Sequence, residues 1–534
     1  MKTLFVKHRG ILIRVLFLAF VFLFWDICHP EYLNYHEQNQ LFLFSSDYLY
    51  SRIAIAGGLA DYISEFLVQF FYYSWLGSLI IGLLLLSLQH AVFLLSDKRL
   101  LILSFLPSLL SIWALGNQNV LFSFFVALII ILYAAYYFRH LHILADLILI
   151  PLLFWAMGAL VWIYVAIRCF KSRSRWSWLY CLYIIGIQLG AYITILRQWP
   201  LQRVLFGINY YRDETLAPLL LYLVAIVAFL IIVFSQYVNR LNSRIVHMSS
   251  VLGTFIILCL AIFLGFDKDN CELLKDDMLV RQEKWDEIIS RAENYQPHCA
   301  FSSESVNLAL GMTRQLADHM FDFYQSGIDA MIMPPVRDNF SNMVSAETFF
   351  RLGMVNSALR YFSDLQESIL NARKSGRLEQ RITECYIING RYLIAQKHID
   401  LLKQSLFYRS WAQDAESYLN HETMIANHPV WGQMRKFHFK HDYLYSYPEI
   451  ERMFGQLFAD HTDNKLALDY FMGGMLLKGD YDGFMNYMRF VESYGGYMSM
   501  PMGYQDAIRF IQSQGMDSSS RYGIYVRQMM SKNN

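Results

Sequence analysis

Residues 26–73 hold Asp26, Glu31, Glu37, Asp47, Asp61 and Glu65 against one strong base, Arg52. Residues 1–266 contain only ten acids, so most of their negative charge lies in this one segment. A carboxylate held at a membrane surface has the chemistry to take a proton from an acceptor hydroxyl. If the leaving group is a phosphate, cations must stabilise it, and Arg197, Arg203 and Arg212 lie together in a second polar stretch, 197–214. Asp26, Glu31 and Glu37 are the candidate bases. Glu31 and Glu37 stand first because they directly follow an apolar run and sit beside His36 in an aromatic-rich stretch. The plainer reading is solvated loop acids.

Positioning these groups requires membrane helices. Of the whole chain, 55% is hydrophobic and 16% aromatic, with the excess in the first half. Apolar runs predict spans at about 10–28, 74–95, 100–116, 119–138, 176–196, 215–235 and 246–266. The first reads as an uncleaved transmembrane helix, since it lacks a small-x-small cleavage site. Run 141–169, as one helix, would reach about 43 Å against a hydrocarbon core of roughly 30 Å. Pro151 and Trp155–Gly158 offer a break into a hairpin. With the hairpin, 13 Lys and Arg face inward and 4 outward, which the positive-inside rule favours over 10 and 7 for a single crossing. The expected location is the inner (cytoplasmic) membrane, N-terminus inside and the second half extracytoplasmic. Gly57-Gly58 precedes an amphipathic helix, with Asp61, Glu65 and Gln69 on one face and Ile63, Phe66, Leu67 and Phe70 on the other. Such a helix is expected to lie along the membrane surface.

The charge balance divides the chain in two. Residues 1–266 carry 17 Lys+Arg and 10 Asp+Glu; residues 267–534 carry 28 and 34. This predicts a multi-pass membrane domain, 1–266, followed by a soluble helical domain, 267–534, in an all-α fold. The basic-aromatic run Lys171–Trp178 reads as an inside-facing helix anchor, with no nucleic-acid partner implied. Seven cysteines show no CxxC pair, though a Cys271–Cys299 bridge is allowed in an oxidising compartment. His438, His441 and Asp442 lack a further ligand at recognisable spacing and read as packing or surface. No phosphate-cradling loop, nucleophile elbow, metal site or cofactor is expected.

In the second half, Gly390-Arg-Tyr392-x-x-Ala395 and Gly353-Met-Val355-x-x-Ala358 resemble the turns of tetratricopeptide helix pairs. Gly479-Asp-Tyr481-x-x-Phe484 and Glu283-Lys-Trp285-x-x-Ile288 are degenerate copies. The resemblance implies an α-solenoid with a partner-binding surface.

Two further resemblances concern the first half. His36–Phe44, Gly57-Gly-Leu59 and Phe66–Tyr73 resemble an uncharacterised family of bacterial multi-pass membrane proteins, filed as a domain of unknown function. That likeness brings no activity with it. The acidic first outer loop, ending in an amphipathic helix, resembles the GT-C class of integral-membrane glycosyltransferases. This implies a first-loop carboxylate as base and a polyprenyl-phosphate sugar donor, although the acid pairs common in that class are absent. The expected function is therefore a membrane-anchored scaffold that binds a protein partner through its helical repeats. The alternative is a transferase acting on a lipid-linked sugar. Few intramembrane charges, Asp146 chief among them, argue against a transporter.

Overall fold

A computed structural model describes all residues except 1, 98–99, 172–177, 213–218, 241–242, 372, 440, 442, 494–495, 514, 516–518 and 533–534. Residues 172–177 of the run Lys171–Trp178 and Asp442, named above, lie outside the described residues. The fold is all-α; among the described residues there is no strand, only an isolated bridge between Val120 and Tyr211. It divides into two compact units. The first comprises Met1–Cys271 with Gln404–Phe407, the second Glu272–Lys403 with Tyr408–Asn534.

In the first unit the helices are α1 (Lys2–Leu23), α2 (Pro30–Gln38), α3 (Ser46–Ile53), α4 (Gly58–Val68), α5 (Ser74–Leu95), α6 (Leu106–Leu115) and α7 (Ser123–Tyr137). They continue with α8 (Ile143–Met157), α9 (Val161–Lys171), α10 (Leu179–Thr194), α11 (Leu201–Phe206), α12 (Leu219–Phe234) and α13 (Ser243–Leu264). Among the described residues, six apolar helical stretches reach membrane-spanning length, one of them, Leu144–Lys171, comprising α8 and α9, and two shorter ones, Leu103–Leu115 and Leu179–Thr194, accompany them. Their outward side chains are strongly apolar: Leu219, Phe263 and Ile148 are 84, 79 and 76% exposed.

Helices α8 and α9 form the hairpin. Gly158 separates them at φ 78°, ψ −152°, a conformation essentially restricted to glycine. The arms then return side by side. The fully buried Asp146 receives hydrogen bonds from Tyr164 (2.6 Å), Tyr180 (3.0 Å) and Arg168 (2.6 and 3.0 Å). At the hairpin base Arg168 also donates to the carbonyls of Arg139 and Leu141, and Lys171 donates to that of Leu95. At its tip Tyr210 donates to the Met157 carbonyl, and Gly57 N donates to the Trp155 carbonyl (2.8 Å). The tip therefore meets the segment between α3 and α4 and the segment after α11 at one end of the bundle, the loop end.

The second unit consists of helix pairs. Helix Met343–Leu352 ends at Gly353 (φ 85°), where the left-handed backbone admits glycine without strain, and Val355–Glu367 packs back against it. Gly390, Gly479 and Glu283, all at positive φ, stand at the three other turns singled out above. The residues expected to let paired helices approach, Ala358, Ala395, Phe484 and Ile288, are at most 1% exposed. A buried charge network crosses the pairs. Glu347 accepts from Arg381 (3.0 Å) and lies 3.6 Å from Arg377, which in turn donates to Asp277 (2.8 Å).

Candidate functional site

At the loop end, Pro30 opens α2 at a position where its missing N–H costs nothing. This helix is enclosed almost all round: Glu31, Tyr32, Leu33, Tyr35, His36, Glu37 and Gln38 are all buried. The chain remains buried through Asn39 and Gln40, each 1% exposed. Of the six first-loop acids, Glu31, Glu37, Asp61 and Glu65 are buried, Asp26 is half-buried and Asp47 exposed. The solvated-loop reading therefore fails for four of six.

Helix α4 turns the opposite way from the expected interfacial helix. Its polar face, Asp61, Glu65 and Gln69, is buried, while Ile63, Phe66 and Leu67 are half-buried. The reason is charge pairing. Arg52 donates to Glu65 (2.9 Å), Tyr48 donates to the same carboxylate, and the guanidinium lies over the Tyr48 ring. Burial, and then the Glu65 charge, hold the Tyr48 phenol well above its ordinary pKa, so it stays a donor.

The three arginines do not gather as one phosphate clamp. Arg203 is buried, stacked 3.9 Å over Tyr211, and donates to the carbonyls of Ile208 (3.2 Å) and Tyr211 (2.9 Å). It shapes the loop. Arg197 is exposed. Arg212, 4% exposed, donates to the Gln118 carbonyl (3.0 Å) and lies over Tyr35, next to His36. Burial, and then the Arg212 charge, push the His36 pKa well below its ordinary value, so this imidazole is neutral.

His36 packs edge-on against Phe122, and neither ring nitrogen has a hydrogen-bond partner. The same holds for both polar atoms of the Gln40 amide and for Glu31 Oε2. Each unsatisfied buried group costs about 1–3 kcal/mol, so such a cluster marks a place built for water or a ligand. On the other side of the same carboxylate, Glu31 Oε1 lies 3.0 Å from His29 Nδ1. A cavity of about 540 Å³ opens at this end, lined by Trp113, Gln118, Asn119, Leu220, Asp267 and Asn270. None of the first-loop acids lines it.

A family profile matches residues 5–533, nearly the whole chain. The chain belongs to a family of unknown function, DUF6057. No curated protein and no solved structure matches it. The family match spans the residues of both units of this DUF6057 protein.

The second unit carries the larger concavity of this DUF6057 chain. One cavity of about 550 Å³ is lined by Phe349, Asn356, Arg360, Tyr443, Tyr445 and Tyr447. A neighbouring one of about 670 Å³ is lined by Asn356, Tyr386, Asn389, Arg391, Glu422 and Arg435. They share Asn356 and His438, and His438 is fixed at 2.9 Å from Asn389. His441 instead pairs with Asp460 at 3.0 Å, so the two histidines serve different partners. The sequence signal for this groove was indirect: it lies beside the turns at Gly353 and Gly390, but its aromatic wall, Phe439, Tyr443, Tyr445 and Tyr447, has no repeat pattern.

Proposed function

We propose that this chain is an integral membrane binding protein: the first unit embeds it, and the helix-pair unit, as a tetratricopeptide-like array, holds a protein partner in its groove. The observation that carries this reading is the pair of neighbouring cavities that share Asn356 and His438, one walled by Tyr443, Leu444 and Tyr445 with Arg360, the other lined by Gly390, Arg391 and Arg435. Tyr443 and Leu444 are 48 and 64% exposed, a large apolar exposure rimmed by polar groups and suited to recognition. The cationic fringe suits an acidic, aromatic-bearing segment of the partner. The excess of Lys and Arg on one side of the expected spans supports an extracytoplasmic array at the inner membrane in this reading. A photoreactive residue at Leu444 in the full chain in its native membrane should give one discrete adduct, lost in Tyr445→Ala and Asn389→Ala; the same probe at exposed Met530 should not give it. Identical adducts at both positions would refute the reading.

A second reading, a GT-C-like transferase using a polyprenyl-phosphate sugar, has one specific observation behind it: Glu31 Oε2, His36 and Gln40 are buried without hydrogen-bond partners within residues 31–40, and the Arg212 charge acts on His36. In this reading a first-loop carboxylate, Glu31, Glu37 or Asp26, deprotonates the acceptor, and Arg197, Arg203 or Arg212 meets the donor phosphate. Glu31→Gln or Glu37→Gln should then lower glycan transfer by about 10²–10⁴-fold without loss of membrane insertion. Unchanged transfer in both variants would eliminate this chemistry.

A further inference from the structure

We propose that His29, Glu31 and Cys271 form a binding site for a zinc-type divalent cation, independent of the partner groove and of any transfer chemistry. Each residue offers one ligand atom, and the three atoms lie within 4.8 Å of one another. Adjacent donors around a tetrahedral zinc ion stand about 3.3–3.6 Å apart, given bonds of about 2.0–2.3 Å. The His29–Glu31 separation, 3.0 Å, is already near that value. One imidazole, one carboxylate and one thiolate match zinc or a similar borderline cation, and a sulfur ligand disfavours magnesium or calcium, which take oxygen.

The surroundings support the set. The His29 ring is stacked on Phe266 at 4.1 Å and 10°, which fixes its plane. Glu31 is 2% exposed, and its Oε2 has no hydrogen-bond partner, a buried acceptor left for a cation. Tyr32 Oη lies 3.7 Å from Cys271 Sγ and accepts from Asn270 Nδ2 (3.3 Å), so its own proton is free to support a thiolate. Three protein ligands leave a fourth position for water. An entry route exists: the His29 side chain is 18% exposed, and Asn270, next to Cys271, lines the 540 Å³ cavity with Asp267. The thiolate is the ligand, so binding releases the thiol proton and tightens as pH rises.

The site fastens the chain just after the first apolar helix to the chain just after α13, within the first unit. It also gives Glu31 a role other than general base, leaving Glu37 and Asp26 as the acids for the transfer reading.

The test uses the purified full chain in detergent, with Co²⁺ as a spectroscopic probe and Zn²⁺ in competition with a chromophoric chelator. The wild type should bind one equivalent and show thiolate-to-cobalt charge-transfer absorption. That absorption should vanish in Cys271→Ser and persist in Cys28→Ser. His29→Ala and Glu31→Gln should bind at least about tenfold more weakly, and Tyr32→Phe about 10–100-fold more weakly with the band retained. The wild-type band is read before any substitution, so the result does not depend on a variant folding. Absence of the band from folded wild type, or its survival in Cys271→Ser, would overturn the proposal. Neither outcome bears on partner capture at Leu444.

Discussion

The two units solve the same packing problem with opposite surfaces. The first turns Leu219, Phe263 and Ile148 outward and encloses Glu31, His36, Gln40 and Glu65, at 2, 1, 1 and 0% exposure. The second encloses Phe350, Leu352 and Phe362 in the way of a water-soluble protein and pairs most of its buried charges. A chain surrounded by lipid gains nothing by hiding leucine, so its interior is where polar contacts are made. The informative difference is in satisfaction. Glu347 has two arginines beside it, whereas the side-chain nitrogens of His36 and the amide of Gln40 have no hydrogen-bond partner. Unpaired polar groups persist where something other than stability selects them.

The largest effect should come from breaking the paired interior. Glu347→Ala removes one of two counter-charges from buried Arg377, which keeps Asp277, and from Arg381, which keeps Glu384, and the loss should cost about 3 kcal/mol, the low end for breaking a buried pair. Thermal or denaturant unfolding of the full chain in detergent measures it. Burial opposes ionisation of Glu347, but Arg381, Arg377 and Arg351 outweigh it and hold its pKa below the usual carboxylate value. Its stabilisation is therefore present above the unfolded pKa, about 4.3, and lost as pH falls through the lower folded value.

Next in size is Gly158→Ala. An added Cβ would stand 2.8 Å from Tyr210 Oη in a backbone region closed to alanine, at a cost of about 1–3 kcal/mol. The loss should appear as weakened hairpin packing, read by faster labelling of a cysteine placed at Ala159 (7% exposed).

His36→Leu should behave differently from either. The folded chain holds His36 neutral, while the unfolded chain protonates it near pH 6.5. Below that pH the unfolded state binds more protons, so native stability declines as pH falls from about 6.5. Leucine fills a similar volume without unpaired nitrogens. The variant should match or exceed wild type by about 1 kcal/mol at neutral pH and lose that acid-side slope. A destabilised variant would mean that His36 is a packing residue.

The smallest effect sharpens the comparison through the second unit's exception. Glu304, fully buried, accepts from Ser345 (2.9 Å), and burial raises its pKa well above the ordinary value. A raised carboxyl pKa means stability is lost as pH climbs above about 4.3 toward the folded value. Glu304→Gln should equal wild type in acid and exceed it by about 1 kcal/mol at neutral pH, in the same unfolding assay.

Much of this architecture was legible because periodicity and charge are local signals. The expected spans at 74–95 and 246–266 appear as Ser74–Leu95 and Arg244–Leu264, and the bend expected at Trp155–Gly158 falls at Gly158. The four turn motifs were readable because a left-handed residue, an aromatic or apolar helix start and a buried apolar position recur within six residues. The loop end was less legible. Amphipathic spacing in Asp61, Glu65 and Gln69 reports two faces but not which one is buried; that choice depends on Arg52 and Tyr48, which the helix pattern does not include. Arg203 reads as a free cation in sequence, yet carbonyls five and eight residues away in a tight loop claim it. Cys271 lies far along the chain from His29 and Glu31, and no spacing rule joins them.

The central claim is that the groove of the second unit, not the first-loop acids, carries the protein's main role. Complementation of a gene-deletion strain with equally expressed full-length variants tests it most directly. The account predicts that Leu444→Glu with Tyr445→Ala abolishes rescue while Glu37→Gln restores it fully. Full rescue by the groove variant together with failure of Glu37→Gln would contradict it and move the working site to the loop end.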